Sequence, residues 1–321
     1  MIEREDLRFR AGDASLAATL TFPVVDGRVP WALLIPSWLP RDRDGAWDRR
    51  GHPGWFGPRT GPDEGLLARL ADALADRGVA TLRYDPRGCG ESDGAWESTG
   101  LFTRIDDARD AIGAMRSRPE LDLRRTAIVG HGEGAGIALS VAIGDPAIGA
   151  LGLVGAPARS LRTVLRRGAS ERAAKGVDHE HPVVAALDAR LEELVERAER
   201  GERAITLEIG GASTTLDLAG WDQAFHTPSI ALATMLHRNV VLLHGADDAW
   251  VDPGEARLLA AVLLEAGNEP ALTFIEGAGH DLTEADDAAI GEFADALVAR
   301  MEPRELPPVL VAIEEMGGRG R

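Results

Sequence analysis

An apolar, strand-like run, Thr126-Ala127-Ile128-Val129, gives way over five residues to a helix-like stretch of small residues. The five are Gly130-His131-Gly132-Glu133-Gly134. Three glycines at alternate positions let the backbone turn sharply and let the helix pack closely on the strand it has just left. On either side, short apolar runs alternate with amphipathic stretches. Together these features constrain the chain to an α/β fold, a mostly parallel central sheet with helices on both faces.

The same alternation lays out the chain. Residues 16–22 read as a strand of an N-terminal hairpin, and residues 32–35, 79–84, 126–129, 150–154, 240–243 and 272–275 as further strands. Helices are expected around Leu67 to Leu74, stopping at Gly78, around Ile105 to Met115, and around Pro253 to Ala266. A last helix is expected to open at Thr283, with Asp286 three residues on as in a capping box, and to bury Ile290, Phe293, Leu297 and Met301. Residues 157–237 interrupt the rhythm with Arg- and Glu-rich helical stretches and a Gly/Thr/Trp segment. The expected organisation is therefore a core of 1–156 and 238–302, a cap inserted at 157–237, and a tail of 303–321. The tail's apolar run, Pro308 to Ile313, reads as an extra edge strand or a homodimer contact, and its last residues as frayed.

Composition excludes several classes. A formal net charge of −17 argues against nucleic acid as a partner, because phosphate binding needs clustered Lys and Arg. No run of eighteen apolar residues appears, so no membrane span is expected, and the charged N-terminus lacks a signal-peptide core. The single cysteine, Cys89, leaves no internal disulfide and fits a reducing, cytoplasmic setting. Lys175 is the only lysine, a usage of the kind GC-rich bacterial genomes produce. No metal-ligand spacing and no G-x-G-x-x-G fingerprint are present, so neither metal nor cofactor is expected.

Several ordered motifs carry a resemblance. The turn at 130–134 is similar to the G-x-S-x-G nucleophile elbow of the α/β-hydrolase superfamily, with Gly132 where the serine stands. The loop Leu243-His244-Gly245-Ala246-Asp247-Asp248 resembles the acid loop of its serine esterases and acyl-peptidase-like members, and Glu276-Gly277-Ala278-Gly279-His280 their histidine loop. Pro36-Ser37-Trp38-Leu39-Pro40-Arg41-Asp42-Arg43-Asp44 is similar to their oxyanion loop, with Ser37-Trp38-Leu39 in place of the usual glycines. The resemblance spans residues 16 to 300. It implies an α/β-hydrolase fold, Asp248 and His280 as acid and base, and an oxyanion hole from the backbone N–H groups of Glu133 and of Trp38 or Leu39.

Glycine cannot form an acyl-enzyme. The first expectation is therefore a non-hydrolytic enzyme of bacterial natural-product biosynthesis. In it, a His280/Asp248 general base would remove a proton from an aromatic or polyketide-like substrate for Michael addition, cyclisation or related chemistry. Such a mechanism predicts that Gly132→Ala leaves turnover largely intact. The alternatives are a water-activating ester, lactone or thioester hydrolase and a catalytically dead binding protein. Trp47, Trp55, Trp96 and Trp250, in loops after strand ends, and Trp221, in the cap, are expected to line a site for a large flat ligand, with Ser37 as a further substrate contact. Cys89 is expected to be a buried small hydrophobe, and Glu133 a solvated charge rather than a second acid.

Overall fold

The computed structural model describes residues 1–57, 65–175 and 181–318. The chain runs β1 (Ile2–Ala11), β2 (Ala14–Pro23), β3 (Val29–Ile35), α1 (Leu66–Ala75), β4 (Ala80–Tyr84), α2 (Leu101–Met115), β5 (Leu121–His131), α3 (Glu133–Gly144) and β6 (Ile148–Val154). Between β6 and the next sheet strand lies an insertion of α4 (Leu161–Lys175), α5 (Pro182–Ala189), α6 (Leu191–Glu199), the hairpin β7 (Ala204–Ile209) and β8 (Ala212–Asp217), α7 (Ala219–His226) and α8 (Ser229–Ala233). The sheet resumes with β9 (Asn239–Gly245), α9 (Pro253–Glu265), β10 (Ala271–Ile275), α10 (Asp287–Val298) and α11 (Pro308–Gly318).

Eight strands form the central sheet in the order β1-β2-β4-β3-β5-β6-β9-β10. The β1/β2 and β2/β4 pairs are antiparallel and every other pair is parallel. Central parallel strands are covered on both faces, so their side chains are apolar in both directions. Leu33 and Ile35 of β3 pack with Ile128, Leu153 and Leu242 under α2, α3 and α9. Ala32 and Leu34, one residue out of step, pack with Val129, Val154 and Leu243 under α1 and α10. On that second face α1 buries Leu66, Leu67, Leu70 and Leu74, each contributing about 2 kcal/mol by leaving water.

Two boundaries differ from the sequence reading. α10 starts later than Thr283, because Asp286 is its N-cap and accepts from the Ala289 N–H at 2.8 Å. The tail run from Pro308 is a helix, not an edge strand. Proline fits the first helical turn, where its missing N–H is not needed, and Leu306 and Leu310 are buried against the sheet. Residues 319–321 lie outside the described residues. Among the described residues no helix is long and apolar enough to cross a membrane.

Candidate active site

The turn at Gly132 is built by steric exclusion. A Cβ on Gly130 would lie 2.1 Å from the Gly134 carbonyl oxygen, and one on Gly134 would lie 2.5 Å from that of Ile35. Only glycines allow β5 to fold back into α3 at this separation. Gly132 itself takes φ 56° and ψ −118°, a conformation costly for any residue with a side chain. Glu133 then opens α3, so its N–H has no carbonyl one turn back and points from the positive end of the helix dipole.

Asp248 and His280 come from the loops after β9 and β10, which are parallel neighbours, so both side chains meet at the carboxyl ends of the strands. Asp248 Oδ2 lies 2.8 Å from His280 Nδ1, while its Oδ1 accepts the N–H groups of Trp250 at 2.8 Å and Val251 at 2.9 Å. Burial opposes charge on Asp248, but His280 and His244, both on its Oδ2 side, outweigh that and hold it well below the usual carboxylate range. Burial likewise opposes charge on His280. The charge and hydrogen bond of Asp248 prevail and raise its pKa above an ordinary imidazole. With Nδ1–H directed at the carboxylate, Nε2 is the nitrogen left to accept a proton.

That nitrogen has a partner. Ser37 Oγ lies 3.2 Å from His280 Nε2, and both residues are nearly buried. An ideal Cβ on Gly132 would sit 2.0 Å from Ser37 Oγ, 2.9 Å from Ser37 Cβ and 3.1 Å from His280 Nε2. The Ser37 hydroxymethyl thus occupies the volume that a side chain at the turn would need. Beneath the pair, the His131 ring lies tilted against His280 with ring centroids 4.6 Å apart, and its Nε2 lies 3.0 Å from the His280 carbonyl oxygen. Complete burial, reinforced by the charge of His280, pushes His131 down to about 3.

A cavity enclosing about 820 Å³, its mouth included, opens over these groups. Ser37, Gly132, Glu133 and His280 form its floor. On one side it runs along α3 past Gly136 and Ser140 to Leu161, Val164, Leu165 and Leu232 of the insertion. On the other it reaches Arg41, Trp47 and Trp250. Arg41, buried and paired with Asp281 at 2.7 Å, stacks 3.6 Å above the Trp47 ring and stiffens that wall.

A family model described as Serine aminopeptidase, S33, matches residues 59–205, under half of the chain. Similar solved structures cover nearly all of it. They include the alpha/beta hydrolase GrgF from Penicillium sp. sh18, with 18% identity and TM-score 0.63, covering 93% of this chain and 99% of that one. Est1E from Butyrivibrio proteoclasticus with ferulic acid bound matches at 16% identity and TM-score 0.62, over 91% and 99%. The esterase domain from a Rhodothermus marinus protein matches at 17% and 0.58, over 94% and 100%. This protein has the α/β-hydrolase fold. No curated protein matches it significantly in sequence.

Within this hydrolase fold the expected substrate-binding tryptophans divide. Trp47 and Trp250 line the cavity, as does Trp38, expected there for its backbone N–H. Trp55, contrary to expectation, is 4% exposed and packs edge-on against Trp96 and His52, away from the cavity wall. Trp96 and Trp221 also belong to the core beneath the insertion. They face a smaller hollow beside Trp38, with Trp221 edge-on to Trp38 at 4.9 Å. The reason is architectural: helices α5 and α6 and the β7–β8 hairpin need an apolar floor, and these rings supply it. Leu39 lines the cavity with φ 67°, holding in a leucine the left-handed conformation that glycine usually serves.

The Glu133 side chain is likewise not solvated. It pairs with Arg104 at 2.6 Å, both largely buried. Cys89 is buried in the core beneath the insertion, and burial pushes its thiol well up. Beside it, Asp48 Oδ2 is held by the Gly90 N–H at 3.2 Å and lies 3.2 Å from His52 Nδ1, a knot that ties two loops together.

Proposed function

We propose that this protein is an esterase-like hydrolase acting on a carboxylic ester with a bulky apolar or aromatic group. The observation that carries the reading is convergence. His280 Nε2, held from behind by Asp248, and the first N–H of α3 at Glu133 meet on one floor of a mainly apolar cavity. Acyl transfer needs a base for the attacking oxygen, which then acts as acid toward the leaving alcohol, and donors where the carbonyl oxygen becomes negative. His280 serves the first need. Glu133 N–H, with the N–H of Trp38 or Leu39 as the second donor, serves the other.

The cavity's two arms suit the two halves of an ester. One is aliphatic, between α3 and the insertion, and the other aromatic, at Trp47 and Trp250. The esterase domain among the structural neighbours supports the same reading. The expectation of non-hydrolytic carbon–carbon chemistry rested on a missing hydroxyl. A hydroxyl lies at His280 Nε2, which favours hydrolysis over that reading. The proposal requires no cofactor.

The test is release of phenolate from 4-nitrophenyl and naphthyl esters graded in acyl size, with wild type and His280→Ala in parallel. We expect turnover that favours the larger esters and depends on His280. If no ester, lactone or thioester of such a series were turned over while the compounds still bound by calorimetry, the site would be a binding site only.

A further inference from the structure

The attacking oxygen on this floor has a specific source. We infer that Ser37, from the loop after β3, is the nucleophile, and that the catalytic hydroxyl has moved from the turn after β5 to the neighbouring strand's loop. The inference rests on the hydrolase reading above and identifies the residue through which it runs.

Strand register explains why the transfer is geometrically open. β3 and β5 are parallel neighbours, with Ile35 opposite Gly130. Counting two residues onward along each chain brings Ser37 beside Gly132, both at the carboxyl edge of the sheet. The two positions compete for one volume, as the 2.0 Å between Ser37 Oγ and a notional Gly132 Cβ makes plain. A side chain at 132 would drive Ser37 Oγ out of the rotamer in which it meets His280. A glycine at 132 is the condition that lets Ser37 reach His280.

The chemistry then balances without any added reagent. Ser37 Oγ–H transfers its proton to His280 Nε2 as Oγ bonds to the ester carbonyl carbon, and the carbonyl π pair becomes the oxyanion. Collapse breaks the carbon–oxygen bond to the alcohol, which leaves with the proton from Nε2. Water then attacks the acyl group on Ser37, giving its proton to Nε2, and the acid departs as that proton returns to Oγ. The donors of the oxyanion hole do not change, but their relation to the nucleophile does. In a G-x-S-x-G turn the residue after the nucleophile supplies one N–H. Here that residue is Trp38, and Glu133 becomes the donor from the neighbouring turn. The competing role for Ser37 is to hold a water at His280 for direct attack. Cys89 is not a competitor, being buried in the core beneath the insertion.

The test treats the full-length protein with diisopropyl fluorophosphate and maps the adduct by peptide mass spectrometry. Hydrolysis is measured alongside for Ser37→Ala, His280→Ala and the exchange Ser37→Gly/Gly132→Ser, with folding of each checked by thermal melting. We expect the label on Ser37, its loss in His280→Ala, and a fall in hydrolysis on the order of 10³-fold or more in Ser37→Ala. The exchange variant should regain label at position 132. Should Ser37→Ala stay within tenfold of wild type while His280→Ala is inactive, Ser37 is no nucleophile. Water attack, and with it the hydrolase reading, would then stand. Should the wild type label at Ser37 in a His280-dependent way yet hydrolyse nothing, the nucleophile is established and the hydrolase reading fails. A folded Ser37→Ala that labels as the wild type does would overturn the inference outright.

Discussion

The loops after β5 and β3 stand side by side at the carboxyl ends of two central strands and carry opposite things. After β5 the backbone is intact: Gly130 and Gly134 permit the close strand–helix approach and Gly132 takes the sharp turn, but no side chain remains at its tip. After β3 no glycine stands at 37–39, yet Leu39 bends at φ 67° and Ser37 projects a hydroxyl to His280. Turn shape and chemical group, normally joined in one residue, are here divided between two strands. The acid and histidine loops show no such division, since Asp248 and His280 stand 2.8 Å apart where their motifs lead one to look.

The largest test of the undivided side is His280→Ala, which should lower hydrolysis on the order of 10⁴-fold if His280 is both base and acid. Asp248→Asn should cost somewhat less and should also move the pH profile. Asp248 raises the His280 pKa, so wild-type activity should fall with decreasing pH through a midpoint above the ordinary imidazole value of about 6.5. Removing the charge should shift that limb to lower pH. An unmoved limb in Asp248→Asn would mean that some other group governs the profile.

The divided side is probed by Gly132→Ala. A general base acting alone predicts near-full activity for this change. The structure predicts the reverse, because the new methyl would overlap Ser37 Oγ and push it from His280. A loss of roughly 10²-fold and about 2–3 kcal/mol of stability is expected. Part of the stability loss should disappear in a Ser37→Gly background, with a coupling energy of about 1 kcal/mol or more. Additive losses in urea denaturation would show that the two positions do not compete.

How much of this was legible beforehand follows from which signals are local. The Gly130–Gly134 turn and the acid and histidine loops are each readable within ten residues, and they carried the fold and the His280–Asp248 pair. Ser37 beside Gly132 depends on β3 and β5 being adjacent although about 90 residues apart, and no local pattern encodes that pairing. Trp55 and Trp96 sit in loops that look like pocket walls, and only the packing of α5, α6 and the β7–β8 hairpin over them turns them into core. That hairpin did have a local signal. Ile205, Leu207 and Ile209 alternate into Gly210-Gly211, both at positive φ, as a two-residue hairpin turn requires.

Beneath both loops, His131 offers a test by pH. Its folded pKa of about 3 lies below the unfolded value near 6.5, so only the unfolded chain binds a proton between the two. Stability should therefore be complete above the unfolded value and decline as pH falls below it. Between pH 7.5 and pH 5 this one group should remove about 2 kcal/mol. Other groups also titrate there, so the informative quantity is the difference between wild type and His131→Gln in urea denaturation at the two pH values. Equal pH dependence in the two proteins would remove His131 as the source.

The smallest expected effect, and the one that bears most directly on the loop after β3, is a difference between two substitutions of Leu39. Its side chain is 2% exposed against the core beneath the insertion, which stabilises by about 2 kcal/mol, while its left-handed backbone opposes this by about 1–2 kcal/mol. Leu39→Ala loses the burial and keeps the strain, so it should destabilise by about 2–4 kcal/mol. Leu39→Gly loses the same burial and releases the strain. It should therefore be the milder change by about 1 kcal/mol, the reverse of the usual order for alanine and glycine. If alanine proved the milder of the two in thermal or urea melts, the loop would not be holding a glycine's conformation in a leucine, and its backbone would have to be shaped by something other than the geometry it shares with a glycine-rich turn.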